Sequence, residues 1–194
     1  MSKVKEKHTP RIAVGITGSS GAIYAADFLK RYPHDKFVVM SKWGKAVMKD
    51  ELQMQDPLTE LAPYYKRAFA DTDMTAPLAS GTTGLDALVI IPASTSTIGK
   101  IASGIGDTLI TRTAAVCLKE RYKMIICVRE TPLSTITLQQ LAALSGEGVI
   151  IMPISPPLYF IPKTVEEYVQ GFINKVLQQC GVDVGKGWRS EDME

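Results

Sequence analysis

Ala87-Leu88-Val89-Ile90-Ile91-Pro92 follows Asp86 as an unbroken apolar run. A strand that alternates polar and apolar residues can leave one face in water. A run with no alternation must be covered on both faces, and a parallel sheet with helices on either side does that. The rest of the chain follows the same pattern. Residues 11–16, 36–40, 123–128 and 148–152 read as further strands. Helices are predicted over 22–31, 42–52, 98–103 and 135–144, and from Asp107 as N-cap to about Glu120. A last helix opens at Thr164, with Glu167 three residues on as a capping box, and runs to Cys180. Residues 56–79, interrupted by Pro57, Pro63 and Pro77, read as a connection with short elements. The expected fold class is α/β, a doubly wound parallel sheet in a single domain, with ligands at the carboxyl ends of the strands.

The bulk properties narrow the function. With 194 residues, 22 Lys and Arg, and 20 Asp and Glu, the net charge of +2 makes no argument for nucleic acid. No apolar run reaches membrane-spanning length. Residues 1–10 are expected to be a disordered basic tail with no apolar core of a signal peptide. Residues 11–182 form the expected domain, and 183–194 a polar C-terminal tail. Cys117, Cys127 and Cys180 are widely spaced and lack a C-x-x-C pair, which fits reduced thiols in a cytoplasmic protein. His8 and His34 are not placed for a metal, so none is expected.

Small and polar residues sit where the strands end. Gly15-Ile16-Thr17-Gly18-Ser19-Ser20-Gly21 joins the first strand to the first helix, an arrangement that presents backbone N–H groups to a phosphate. Its glycines miss the G-x-G-x-x-G spacing, and a tight turn that binds nothing is the competing reading. Ser41 follows the second strand. Ser94-Thr95-Ser96-Thr97 follows the third, where helix capping competes with anion binding. Arg129-Glu130 ends a buried strand; such an Arg can fork to an oxyanion and such a Glu can move protons. Arg112 and Lys119, seven residues apart, fall on about the same helix face. Tyr159 is held between prolines. Each has a plainer reading as turn, surface or packing chemistry; their convergence on one sheet edge argues for a site.

Four stretches together carry a resemblance: G-I-T-G-S-S-G-A-I-Y from Gly15, P-A-S-T-S-T from Pro92, L-K-E-R from Leu118 and V-R-E-T-P-L from Val128. In order and spacing, from about Arg11 to Val182, the chain resembles the UbiX-type flavin prenyltransferases. The resemblance implies a Rossmann-like, flavodoxin-like flavoprotein domain that assembles as a dodecamer with sites at subunit contacts. It implies transfer of a dimethylallyl group from dimethylallyl phosphate to N5 and C6 of reduced FMN. The product, prenylated FMN, serves UbiD-type decarboxylases. Gly18, Ser19, Ser20, Ser41, Ser94, Thr95, Ser96, Thr97 and Arg129 would hold the flavin. Arg112, Lys119, Arg129, Tyr159 and Lys175 would surround the substrate phosphate. Glu130, Ser20, Glu51 and Lys119 would carry the catalysis, and Trp188 would match a C-terminal aromatic over the site.

The chain departs from the family pattern in three places. Lys175 stands where Arg is common, Ser19 where Ala is usual, and Asp107-Thr108 where Asp-Asn or Asn-Asn is common. Lys175 keeps the charge but loses the guanidinium fork. Two other readings share the fold: an FMN protein that only moves electrons or reduces a substrate, and a flavin carrier subunit of a decarboxylase system. The phosphate-binding set argues for prenyl transfer over the first, and turnover distinguishes it from the second.

Overall fold

The computed structural model describes residues 9–185; Trp188 lies outside them. Six parallel strands, β1 (Arg11–Ile16), β2 (Asp35–Met40), β3 (Arg67–Ala70), β4 (Ala87–Ala93), β5 (Lys123–Val128) and β6 (Ile150–Pro153), form one sheet in the order β3-β2-β1-β4-β5-β6. The register sets Val14 beside Val38 on one side and Val89 on the other. Every residue of β4 is buried, as its unbroken apolar run requires.

Alternate residues of each strand feed two cores. Helices α1 (Ala22–Arg31), α2 (Lys42–Leu52) and α7 (Val165–Gln179) cover one face. There Val14, Val89 and Ile125 meet Phe28, Met48 and Ile173. Helices α4 (Thr95–Ala102), α5 (Leu109–Glu120) and α6 (Thr135–Gly146) cover the other, where Leu88, Ile90 and Ile126 meet Ile98, Ile110 and Leu141. A short helix, α3 (Pro57–Leu61), follows α2. Each fully buried aliphatic side chain contributes about 1.5–3 kcal/mol.

The structure differs from the local expectations in four places. The 56–79 connection contains β3, an edge strand with only Phe69 buried, too short for its alternation to be legible. Helix α4 begins at Thr95, not Ile98, because Ser94 caps it and its first turn is built from hydroxyl residues of low helix propensity. Thr108, not Asp107, is the N-cap of α5: its hydroxyl accepts from Thr111 N and Thr111 Oγ1 accepts from Thr108 N. In α7, Thr164 caps Glu167 N as expected, but the Glu167 carboxylate accepts from Lys163 N rather than Thr164 N.

Charge is also settled at the edge away from the strand carboxyl ends. The Lys36 ammonium donates to Tyr32 O at 2.5 Å and His34 O at 3.3 Å, placing a cation at the carboxyl end of α1. Burial pulls its pKa down, with Asp35 opposing. No helix among the described residues is long and apolar enough to cross a membrane.

Candidate functional site

The sheet order reverses between β1 and β4, and the chains leaving these strands diverge there. Thr17 joins them. Its buried hydroxyl donates to Pro92 O at 2.8 Å and accepts from Ser94 N at 2.8 Å. The second bond fixes the residue that caps α4. On the other side, Ser41 N donates to Ile16 O at 3.0 Å, and Ser41 Oγ accepts from Gly44 N at 3.0 Å to start α2. This approach needs glycine twice. A Cβ on Gly44 would run into the Ile16 carbonyl, and one on Gly18 into the Cβ of Trp43.

The amino end of α1, expected to be open to a phosphate, is already engaged. Glu51, reaching across from α2, accepts from Gly21 N at 2.9 Å and Ala22 N at 2.8 Å. A carboxylate on the last turn of one helix caps the first turn of another. Burial works to raise the Glu51 pKa. The Ser20 hydroxyl, the Ala22 and Gly21 N–H groups and the Arg129 charge outweigh it and hold the pKa below the ordinary value. Glu51 therefore stays anionic and orients Ser20. The neighbouring Ser19 hydroxyl donates to Arg129 O at 2.5 Å, tying the turn to the end of β5.

A second candidate anion position is the amino end of α4. A cleft of about 270 Å³ lies there, walled by Gly18, Ser41 and Trp43 on the β1–β2 side and by Ser94, Ser96 and Thr97 on the β4 side. Ser94 Oγ takes Thr97 N at 3.4 Å and meets Thr97 Oγ1 at 3.0 Å. The Thr95 and Ser96 N–H groups have no acceptor inside the helix, as in any first turn. Lys42 and Lys100 also line the cleft. Hydroxyls, a helix amino end and two cations are a donor set that fits the phosphate of FMN. Asp71 closes the floor with its charge spent on α5, accepting from Ile110 N at 3.0 Å while its carbonyl accepts from Leu109 N at 2.7 Å.

The structure thus brings Gly18, Ser41, Ser94, Ser96 and Thr97 onto one cleft, and Ser19, Ser20, Glu51 and Arg129 into one bonded cluster beside it. The other sequence candidates lie apart. Glu130 is exposed at the end of β5, where its Oε1 accepts from Thr131 N at 3.0 Å. Arg112 Nε donates to Ala79 O at 3.2 Å, and Lys119 pairs with Glu120 farther along α5 beside Gly81. Both therefore face the 77–83 segment. Tyr159 sets its ring edge-on to Phe160 at 5.7 Å, and Phe160 packs on Gly171 of α7. Lys175 is exposed one turn beyond Gly171. Sequence reasoning missed Lys42, Trp43, Lys100 and Asp71. Lys42 adjoins Ser41 and Lys100 lies three residues after Thr97, so helical spacing held a signal for both. Asp71 was hidden because β3 was.

A family profile described as Flavoprotein matches residues 1–177. The flavin prenyltransferase UbiX of Thermoplasma acidophilum is 43% identical over 181 residues, covering 92% of this chain and 99% of that protein. The crystal structure of AnUbiX in complex with FMN and dimethylallyl pyrophosphate matches with a TM-score of 0.86 at 30% identity, covering 94% of this chain and 100% of that one. A dodecameric FMN-dependent UbiX-like decarboxylase from Escherichia coli O157:H7 matches with a TM-score of 0.85 at 34% identity, covering 92% and 100%. Agreement of this extent, over the whole sheet and the turns that leave it, makes the chain a member of the flavoprotein family and, within it, of the UbiX-type flavin prenyltransferases.

Proposed function

We propose that this chain transfers a dimethylallyl group from dimethylallyl phosphate to N5 and C6 of reduced FMN, making prenylated FMN for a UbiD-type decarboxylase. The observation that carries the reading is the Ser19–Arg129 hydrogen bond, which joins the R-E-T-P-L segment to the Gly/Ser turn in a chain akin to flavin prenyltransferases over its length. Reduced FMN, when bound, supplies the electron-rich atoms to which the allylic carbons bond. The substrate C–O bond breaks and phosphate leaves with the bonding pair. Arg112, Lys119, Arg129 and Lys175, with the Tyr159 hydroxyl, hold that phosphate and offset its growing charge. Bonding at N5 and at C6 displaces one proton from each; Glu130, with Oε1 held by Thr131 N, uses Oε2 to carry one to the departing phosphate and the other to the double bond of the allyl group. Glu51, kept anionic, holds the Ser20 hydroxyl toward the reacting edge. The reaction requires that water be kept out, since an allylic cation would otherwise become an alcohol.

Arg112, Lys119, Tyr159 and Lys175 stand away from the cleft of their own protomer. We infer that neighbouring copies complete the site in a dodecamer, the assembly named for the E. coli O157:H7 neighbour. Residues 11–182 form the folding unit in this reading. Its three cysteines are free thiols, with burial pushing Cys117 and Cys180 up to about 12, which suits the cytoplasm.

The test is anaerobic incubation with reduced FMN and dimethylallyl phosphate, then mass spectrometry of the extracted flavin. The expected product is heavier by one prenyl unit and is lost with Glu130→Gln. Tightly bound but unmodified FMN would overturn the transferase reading in favour of an electron-transfer or carrier role.

A further inference from the structure

The loop after α4 returns one cation to the cleft. Gly104, at φ +71°, lets the helix end in a Schellman turn, with Ile105 N donating to Lys100 O at 2.9 Å and Gly104 N to Ile101 O at 3.1 Å. That reversal brings Asp107 back over the helix, where its Oδ2 accepts from Lys100 Nζ at 2.7 Å. Lys100 lies one turn after Ser96 and Thr97 on the same face, and helical side chains lean toward the amino end. Lys100 accordingly lines the cleft together with Ser94, Ser96 and Thr97. Asp107 engages one of its three donors, and the other two remain for a ligand. Lys42, the second cation there, stacks on the Trp43 ring at 5.4 Å.

We propose that Lys100 is the residue by which this cleft selects a phosphorylated flavin over an unphosphorylated one, with Asp107 as the positioning residue that holds its ammonium at the wall. The inference rests on the flavin reading above and adds a discriminating group to it. A phosphate at the amino end of α4 receives backbone N–H groups and hydroxyls, which are neutral donors. Lys100 adds a full charge beside them, and charge-assisted bonds are about twice as strong as neutral ones. Riboflavin, which lacks the phosphate, gains nothing from that charge. Asp107 gives the end of that part-exposed side chain a fixed partner.

The experiment is a fluorescence-quenching titration of the full-length chain, stripped of flavin, with FMN and with riboflavin at low and high salt. Wild type is expected to bind FMN more tightly, with a preference that shrinks as salt rises. Lys100→Met should cut the FMN-over-riboflavin ratio by about tenfold with riboflavin affinity unchanged. Lys100→Arg should restore most of the ratio, and Asp107→Asn should lower it less. Equal melting temperatures of the Lys100 variants would exclude a folding effect. An unchanged ratio in Lys100→Met, or equal loss for both flavins, would overturn the inference while leaving the flavin reading intact. Failure of wild type to bind either flavin would overturn the flavin reading and the inference with it.

Discussion

Thr17 and Glu51 show how single side chains set the site before any ligand arrives. Thr17→Val keeps the shape but leaves Ser94 N and one bond to Pro92 O unmet in a buried place. It should cost about 1–3 kcal/mol in denaturant unfolding. FMN affinity should fall with it, and Thr17→Ser should recover both. Glu51 makes a pH prediction. Its folded pKa lies below its unfolded one, so its stabilisation is present above the unfolded value and is lost as pH falls through the folded value. Glu51→Gln should therefore be less stable than wild type at pH 7 by about 1 kcal/mol, the scale of a helix cap. In paired denaturant titrations the gap should start to close as pH falls past the ordinary carboxylate range and vanish only below the folded value. Tyr32 is the opposite case, a buried hydroxyl with no partner among the described residues. Tyr32→Phe should leave the melting temperature unchanged or raise it.

Helix starts decide where an anion can sit. Helix α1 is closed by Glu51, whereas α4 opens on the cleft and α5 is closed by Asp71 and its own threonines. Thr108→Ala should lower stability by about 1 kcal/mol, about 2–4 °C in a domain of this size. Asp107→Ala should lower it less, since that carboxylate does not cap α5. A thermal melt of the two variants separates these roles. The long strands and helices were legible because each carries its period over many residues. The candidate residues at the strand ends were legible because a parallel sheet gathers all its carboxyl ends on one edge. What was not legible depends on contacts distant in sequence. Glu51 meets Gly21 across 30 positions, and Asp71 meets Ile110 across 39. No local pattern announces either, so nothing in the Gly/Ser turn itself foretells the carboxylate that meets it.

At the scale of the whole molecule, the exposed apolar residues gather after β6. Leu158 is 65% exposed, Ile161 76% and Val165 65%, a concentration suited to contact with another copy. Leu158→Asp should reduce the assembly to smaller species in light scattering while the protomer keeps its circular dichroism. It should also slow prenyl transfer far more than it weakens FMN binding, if Tyr159 and Lys175 act across copies. Ile161 adopts φ +53°, a conformation costly for a β-branched residue, and it does so within that patch. The strand order has a further consequence during synthesis. The first half of the sheet grows outward from β1 to β3 and the second outward from β4 to β6, so β1 waits with one edge bare until residue 87 has emerged. The cleft lies on the seam between these halves and does not exist until they dock. Quenching of flavin fluorescence on a ribosome-bound chain would then time that docking.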